Sequence, residues 1–104
     1  MPAEAAFTIP ADHPALAGHF PGDLIVPGVL VLAHVQQALE SRVGPARLTG
    51  LPQAKFLAPL RPGETCVIEF TTLADGHARF DCRSGEQPVA RGTMRFETDA
   101  DSAK

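Results

Sequence analysis

The chain has only two cysteines. Cys66 and Cys82 lack the C-x-x-C spacing of a zinc or redox site, and two thiols make no disulfide framework, so both are expected to be reduced and structural. Long apolar runs are missing as well. The longest uninterrupted one, Val29 to Ala33, falls far short of the roughly 20 residues of a membrane-spanning helix. Nor is there an excess of basic charge: nine Lys and Arg against twelve Asp and Glu leave a net charge of −3. That balance offers no field for a nucleic acid or an anionic membrane surface. No basic stretch followed by an apolar one stands at the N-terminus, so no secretory signal is visible and a cytoplasmic location is the expectation.

What is present suits one small domain: 104 residues, 11.0 kDa, 44% apolar and 20% charged. A domain of this size buries only about two-thirds of its unfolded surface, so an oligomeric interface is an expected supplement and a dimer the first expectation. The reading is a single domain over 1–97 and a disordered acidic tail over 98–104, where Asp99 and Asp101 fall.

Ten prolines and nine glycines cut the chain into short elements. Ala6 to Ile9 reads as a strand stopped by Pro10, and the stretch to Val26, with Pro14, Gly18, Pro21 and Gly22, as an ordered loop. From Pro27 to Val43 runs the one convincing helix, with Pro27 at a position that tolerates a missing amide donor and Gly44-Pro45 as its stop. Val29, Leu30, Val31, Leu32, Ala33 and Val35 point in every direction around its axis, so this half is expected to be enclosed. The second half, with Gln36, Gln37, Glu40, Ser41 and Arg42, is amphipathic and is expected to emerge.

Strand segments come next at Leu48 to Leu57, Thr65 to Leu73, Ala78 to Ser84 and Val89 to Phe96, separated by turn sequences. Cys66, Ile68, Phe70 and Thr72 share one face of the second of these. Ala78, Phe80 and Cys82 share one face of the third, with Arg79, Asp81 and Arg83 opposite. Matching the apolar faces pairs Phe70 with Phe80 and calls for an odd-length loop around Gly76, such as a three-residue turn with a bulge. This register sets Cys82 beside Ile68 and diagonal to Cys66, about 7 to 8 Å apart, where a disulfide would be strained. A curved antiparallel sheet of about five strands around one long central helix, the α+β hotdog fold, is the simplest compact solution.

The segment richest in chemistry runs Gly18-His19-Phe20-Pro21-Gly22-Asp23-Leu24-Ile25-Val26-Pro27-Gly28-Val29-Leu30. It sets a lone histidine in a rigid loop just ahead of a helix N-terminus. The helix start offers unpaired amides and the positive end of the macrodipole to a carbonyl oxygen that gains negative charge, and Gly28 has no side chain in the way. A neutral imidazole in an apolar setting can remove a proton near pH 7. His19 and the Gly28 amide thus form a candidate base and oxyanion donor. The plainer alternatives are a loop histidine bonded to carbonyls and a glycine required only by sterics. Asp23 is explained by turn chemistry, and His13 and His77 read as structural or exposed.

His19-Phe20-Pro21-Gly22-Asp23, then Val26-Pro27-Gly28-Val29-Leu30, then Gln37, resemble the signature of the FabZ/FabA-type 3-hydroxyacyl-acyl-carrier-protein dehydratases of the hotdog superfamily. Ala54-Lys55-Phe56, Pro59-Leu60-Arg61-Pro62-Gly63-Glu64 and Ala90-Arg91-Gly92-Thr93 extend the resemblance over most of the chain. It implies a lyase of fatty-acid or polyene and pigment biosynthesis, needing no metal and no cofactor, that reversibly dehydrates 3-hydroxyacyl thioesters held on acyl carrier protein. His19 would take the α-proton and Gly28 bind the thioester carbonyl. Phe20, Pro27, Val29, Ala33, His34 and Gln37 would line the substrate tunnel at a dimer interface.

One departure bears on activity. The family's acid, which protonates the departing hydroxyl, falls fourteen residues after the histidine, and this chain has Ala33 there. General acid catalysis supplies a factor of about 10² to 10⁴, so the loss decides between an enzyme and a relic. Substitutes are His34, rotated by about 100°; Glu40, about two turns along; a water on Gln37; or a related hotdog chain in a heterodimer. The readings left open are a dehydratase-like homodimer or heterodimer, a catalytically silent acyl- or carrier-binding subunit, and a hotdog thioesterase using Glu40.

Overall fold

The computed structural model describes residues 3–13 and 25–98. They form β1 (Ala3–Thr8), α1 (Gly28–Val43), β2 (Ala46–Phe56), β3 (Thr65–Ala74), β4 (His77–Ser84) and β5 (Gln87–Thr98). The five strands make one antiparallel sheet in the order β1-β3-β4-β5-β2. β5 extends through Thr98, and the tail residues 99–104 lie outside the described residues.

Helix boundaries reflect local chemistry. Pro27 is extended, at φ −60 and ψ 143, and stands one residue ahead of the helix; its missing amide is no loss there. Gly44, at φ 86, ends the helix and donates its N–H to the Glu40 carbonyl at 2.9 Å. That positive φ is one a side chain rarely adopts.

The core forms where one stripe of α1 meets the inner face of the sheet. Val31, Val35, Ala38 and Leu39 recur at helical spacing and are buried. They join Cys66, Ile68, Phe70, Ala78, Phe80, Cys82, Val89, Met94 and Phe96 in one cluster. Burial alternates along β3 and β4 with the strand period. The result is the hotdog arrangement, but, against expectation, the N-terminal half of α1 is not enclosed. Val29 is 77% exposed and Ala33 is exposed, because a single sheet covers only one side of a helix.

The β3–β4 hairpin has the expected register by another route. Phe70 pairs with Phe80 and Ile68 with Cys82. The connection, however, is a two-residue turn, Asp75 and Gly76 at φ 54 and 74, closed by the Ala74–His77 pair. Positive φ at both positions is the twist that suits a tight hairpin. The parity change comes from a bulge between Phe70 and Thr72, which bends the strand and re-aims the side chains beyond it. Thr72 is therefore exposed, and Leu73 turns toward the core in its place. Both cysteines are buried and free. A hydrogen bond from one thiol to the other, together with burial, pushes the Cys82 thiol far above its ordinary range.

Exposed ion pairs stitch the outer face, Arg47 to Glu97 at 2.6 Å and Arg91 to Asp81 at 3.6 Å; such pairs contribute little each. The tightest constraint is Gly92 of β5. A Cβ there would collide with the Gln53 carbonyl oxygen of β2 and lie 2.9 Å from Phe80 Cζ beneath. Gly92→Ala is expected to cost about 3 kcal/mol, whereas Gly44→Ala, with open space around it, costs about 1 kcal/mol of backbone strain. Urea unfolding of both variants checks the order, and equal losses would contradict it.

Candidate active site

The start of α1 is built from both sides. Val26 donates its N–H to the Leu60 carbonyl at 2.8 Å, which ties the approach to the helix to the segment after β2. Leu30 and Val31 then donate to the Pro27 carbonyl at 3.0 and 3.3 Å. The Gly28 and Val29 amides precede this first closed turn. Among the described residues no side chain caps the helix and no acidic residue stands in its first turn, so none of their carboxylates competes for those donors. The positive end of the helix dipole is left to whatever occupies the space in front.

That space is a pocket of about 540 Å³. Val26, Val31, Leu60 and Val89 form its buried wall, while Ile25, Val29, Phe56 and Leu57 form an exposed rim. The Leu57 and Ala58 amides donate to the Val89 carbonyl at 2.8 and 3.4 Å, holding the end of β2 against β5. Among the described residues every lining side chain is apolar, with Gly28 contributing backbone. An alkyl chain is the ligand such a wall favours.

The expected site residues fall into four groups. Gly28 and Val29 are in this pocket, and Pro27 directly precedes it. His19 and Phe20, with Asp23, lie outside the described residues. His34 and Gln37 are elsewhere, lining a smaller recess of about 180 Å³ against β1 with Phe7, Ser41 and Ile68. The His34 ring stacks on Phe7, centroids 4.3 Å apart and planes 4° from parallel. Ala33 is exposed and lines neither space. At about 100° per residue, a helix whose position 28 faces the β2 side turns position 34 toward β1. Glu40 is engaged too: its Oε2 accepts the Ala46 N–H at 3.2 Å, which fastens the helix end to β2.

Phe56, Leu57, Leu32 and Val89 also line the pocket, and sequence reasoning does not single them out as site residues. Phe56 carries a signal, since it is an aromatic closing a strand just ahead of Pro59 and belongs to the Ala54-Lys55-Phe56 resemblance. Leu32 and Val89 carry none beyond being apolar.

A 16-residue helix on a five-stranded antiparallel sheet, with a pocket of apolar described lining at the helix start, defines a hotdog protein. The chain matches the ApeI-like family model, described as ApeI dehydratase, over residues 2–93, and it belongs to that family. It is 34% identical over 99 residues to the 3-hydroxyacyl-[acyl-carrier-protein] dehydratase FabZ of Chlamydia trachomatis, covering 82% of this chain and 65% of that one. To the FabZ of Thermus thermophilus it is 36% identical over 72 residues, covering 61% and 51%. The chain thus spans about two-thirds or less of the length of these relatives. Among solved structures it is similar to the dehydratase heterocomplex ApeI:P from Xenorhabdus doucetiae, with a TM-score of 0.78 at 20% identity over 91% of this chain and 86% of that one. The fluoroacetyl-CoA thioesterase FlK gives 0.69 at 16% identity over 92% and 83%. At these identities both share the fold.

Partial burial, and after it the charge of His13, holds the His34 imidazole below its ordinary value of 6.5. Above pH 6.5 both folded and unfolded chains carry it neutral. As the pH falls through 6.5 the unfolded chain takes the proton first, so stability drops until the folded-state value is reached. A proton NMR titration of the His34 ring is expected to show a midpoint below 6.5, and His34→Phe to flatten the stability profile under that pH. A midpoint at or above 6.5 would contradict this.

Proposed function

We propose that this chain is a cytoplasmic hotdog subunit of a 3-hydroxyacyl-acyl-carrier-protein dehydratase, working over residues 1–97 as one unit. The observation that carries the reading is the apolar pocket at the start of α1, which Gly28 and Val29 of the first helical turn line. In it the acyl chain lies along the Val31, Leu60 and Val89 wall, and the thioester carbonyl points at Gly28. His19 removes a proton from the α-carbon. The electron pair moves onto the carbonyl oxygen, which the Gly28 amide and the helix dipole stabilise, and its return forms the α,β double bond as the β C–O bond breaks. The departing hydroxyl takes a proton from an acid and leaves as water.

Ala33 cannot be that acid, and neither His34 nor Glu40 of the same chain lines the pocket. A second hotdog chain bearing a carboxylate on its helix would supply the proton, a reading supported by the exposed apolar rim at Val29, Phe56 and Leu57 and by the heterocomplex named for the Xenorhabdus structure. The FabZ relatives' names support acyl carrier protein as the substrate's carrier. The absence of an acid at Ala33 favours, as a second reading, a silent subunit that holds the acyl chain without turning it over. For a thioesterase reading, the candidate water activator Glu40 is not among the residues lining the pocket, and its Oε2 accepts the Ala46 N–H.

The test is turnover of a 3-hydroxyacyl thioester, by the chain alone and mixed with an acid-bearing hotdog dehydratase chain, following enoyl absorbance and free thiol together. His19→Ala is expected to lower dehydration by about 10² or more, and Ala33→Glu to raise it by about 10² to 10⁴. Dehydration that survives His19→Ala, or thiol release without enoyl product, would sink the dehydratase reading. Tight acyl-carrier binding with no turnover even in Ala33→Glu would leave the silent subunit.

A further inference from the structure

An ideal Cβ built on Gly28 would stand 2.7 Å from Phe56 Cζ, 3.0 Å from Cε1 and 3.2 Å from Cε2. The outer end of the Phe56 ring therefore occupies the place that a side chain at position 28 would take. Cα–Cβ bonds tilt toward the N-terminus of their helix, the same way the free amides of the first turn face. A ring seated there stands against the first turn of α1, at the residue that carries one of the free donors. Phe56 reaches this seat from the last residue of β2, opposite the small Ala90 on β5. The next residue, Leu57, is pinned by its amide to Val89. The backbone is thus anchored while the ring is held on one side only: it remains 53% exposed.

From this geometry we infer that Phe56 controls access to the Gly28 amide. Its ring covers the helix terminus and the mouth of the apolar pocket when the site is empty and swings aside to admit an acyl thioester. The inference deepens the proposed function and, for its ligand, rests on that reading. A carbonyl oxygen bonded to an amide sits about 2.7 to 3.1 Å from it, and it brings a sulfur on one side and an α-carbon on the other. Those atoms and the ring cannot share the seat. Rotation of a half-exposed side chain about its own torsions is fast and needs no backbone change. In the closed position the ring keeps water from the dry wall behind it. It also explains why position 28 is glycine before any substrate arrives.

Two measurements test it. The first uses N-phenyl-1-naphthylamine, a neutral apolar probe, and stopped-flow association with the pocket. A ring open about a tenth of the time would make association in Phe56→Ala about tenfold faster than in the unaltered chain. Phe56→Leu should fall between, and Gly28→Ala should also be faster because its methyl dislodges the ring. Equal rates, or no probe binding in any of the four proteins, would overturn the gate. The second exploits a chain with no tryptophan and no tyrosine, so that Phe56→Trp provides a single emitter. Acrylamide quenching of that residue should rise when Gly28→Ala is added, and rise likewise on binding an S-(2-oxoalkyl) pantetheine, which keeps the carbonyl but cannot be cleaved. Quenching unmoved by Gly28→Ala overturns the gate whatever the chain's activity. Quenching that responds to Gly28→Ala in a protein that does not bind the pantetheine ketone upholds the gate and sinks the thioester reading instead.

Discussion

The contact of one apolar stripe, Val31, Val35, Ala38 and Leu39, with the inner face of the sheet sets the orientation of α1, and the placement of every other group on the helix depends on it. With those four residues facing the strands, Gly28 is delivered to the β2 side, His34 and Gln37 are turned toward β1, and Val29 and Ala33 are left outside. A rotation of one residue, about 100°, would exchange these roles and carry the free amides away from the pocket wall. Core packing and site geometry are therefore one constraint. Each of the four stripe residues is a few per cent exposed or less, apart from Ala38 at 8%, so the stripe has little freedom to turn.

The same contact leaves apolar surface uncovered. β2 is an edge strand exposed along nearly its whole length, and Leu48 and Leu51 on it, Phe56 and Leu57 at its end, and Val29 across from it are large apolar side chains facing outward. Edges of this kind are covered or blunted in stable proteins, and contiguous apolar surface marks a binding face. Register shifts between Leu48 and Gly50 and between Gly50 and Gln53 bend this strand, while Gly92 lets its backbone come close to β5. The edge is shaped, not merely frayed, and the pocket opens where it meets the helix start.

Much of this is legible in the sequence. Proline and glycine punctuation marks the helix to within a residue at each end, and strand alternation places Phe70 against Phe80, because a two-residue period admits so few pairings that bury both faces. The features that escape such reasoning are non-local. Counting apolar residues around an axis predicts an enclosed helix, but it holds no information that a single chain provides one sheet. Alternation assigns Thr72 inward, and a bulge cannot be read from alternation alone. His34 reads as a neighbour of the site until β1 supplies Phe7 for its ring. The Gly28–Phe56 contact joins a helix start to the end of a strand distant in sequence, and no periodicity reports it. His19, which anchors the motif, lies outside the described residues, so its role rests on the resemblance and on the helix terminus the motif leads to.

The alanine at position 33 then bears directly on what the uncovered face is for. If two copies of this chain met there, symmetry would place an identical residue on each side, and a homodimer would carry alanine at both acid positions. Under the proposed function each half would then lack the family's acid, a deficit of about 3 to 5 kcal/mol in the barrier. On the same reading, a different hotdog chain with a carboxylate at the corresponding helix position would repair one of the two sites, the one for which this chain would supply the base His19 and the oxyanion donor Gly28. Under the proposed function, a chain that keeps its dry pocket and free amides while lacking an acid is better suited to a mixed pair than to a pair with itself. The preference would be set by catalysis even where the apolar rim is equally content with either partner.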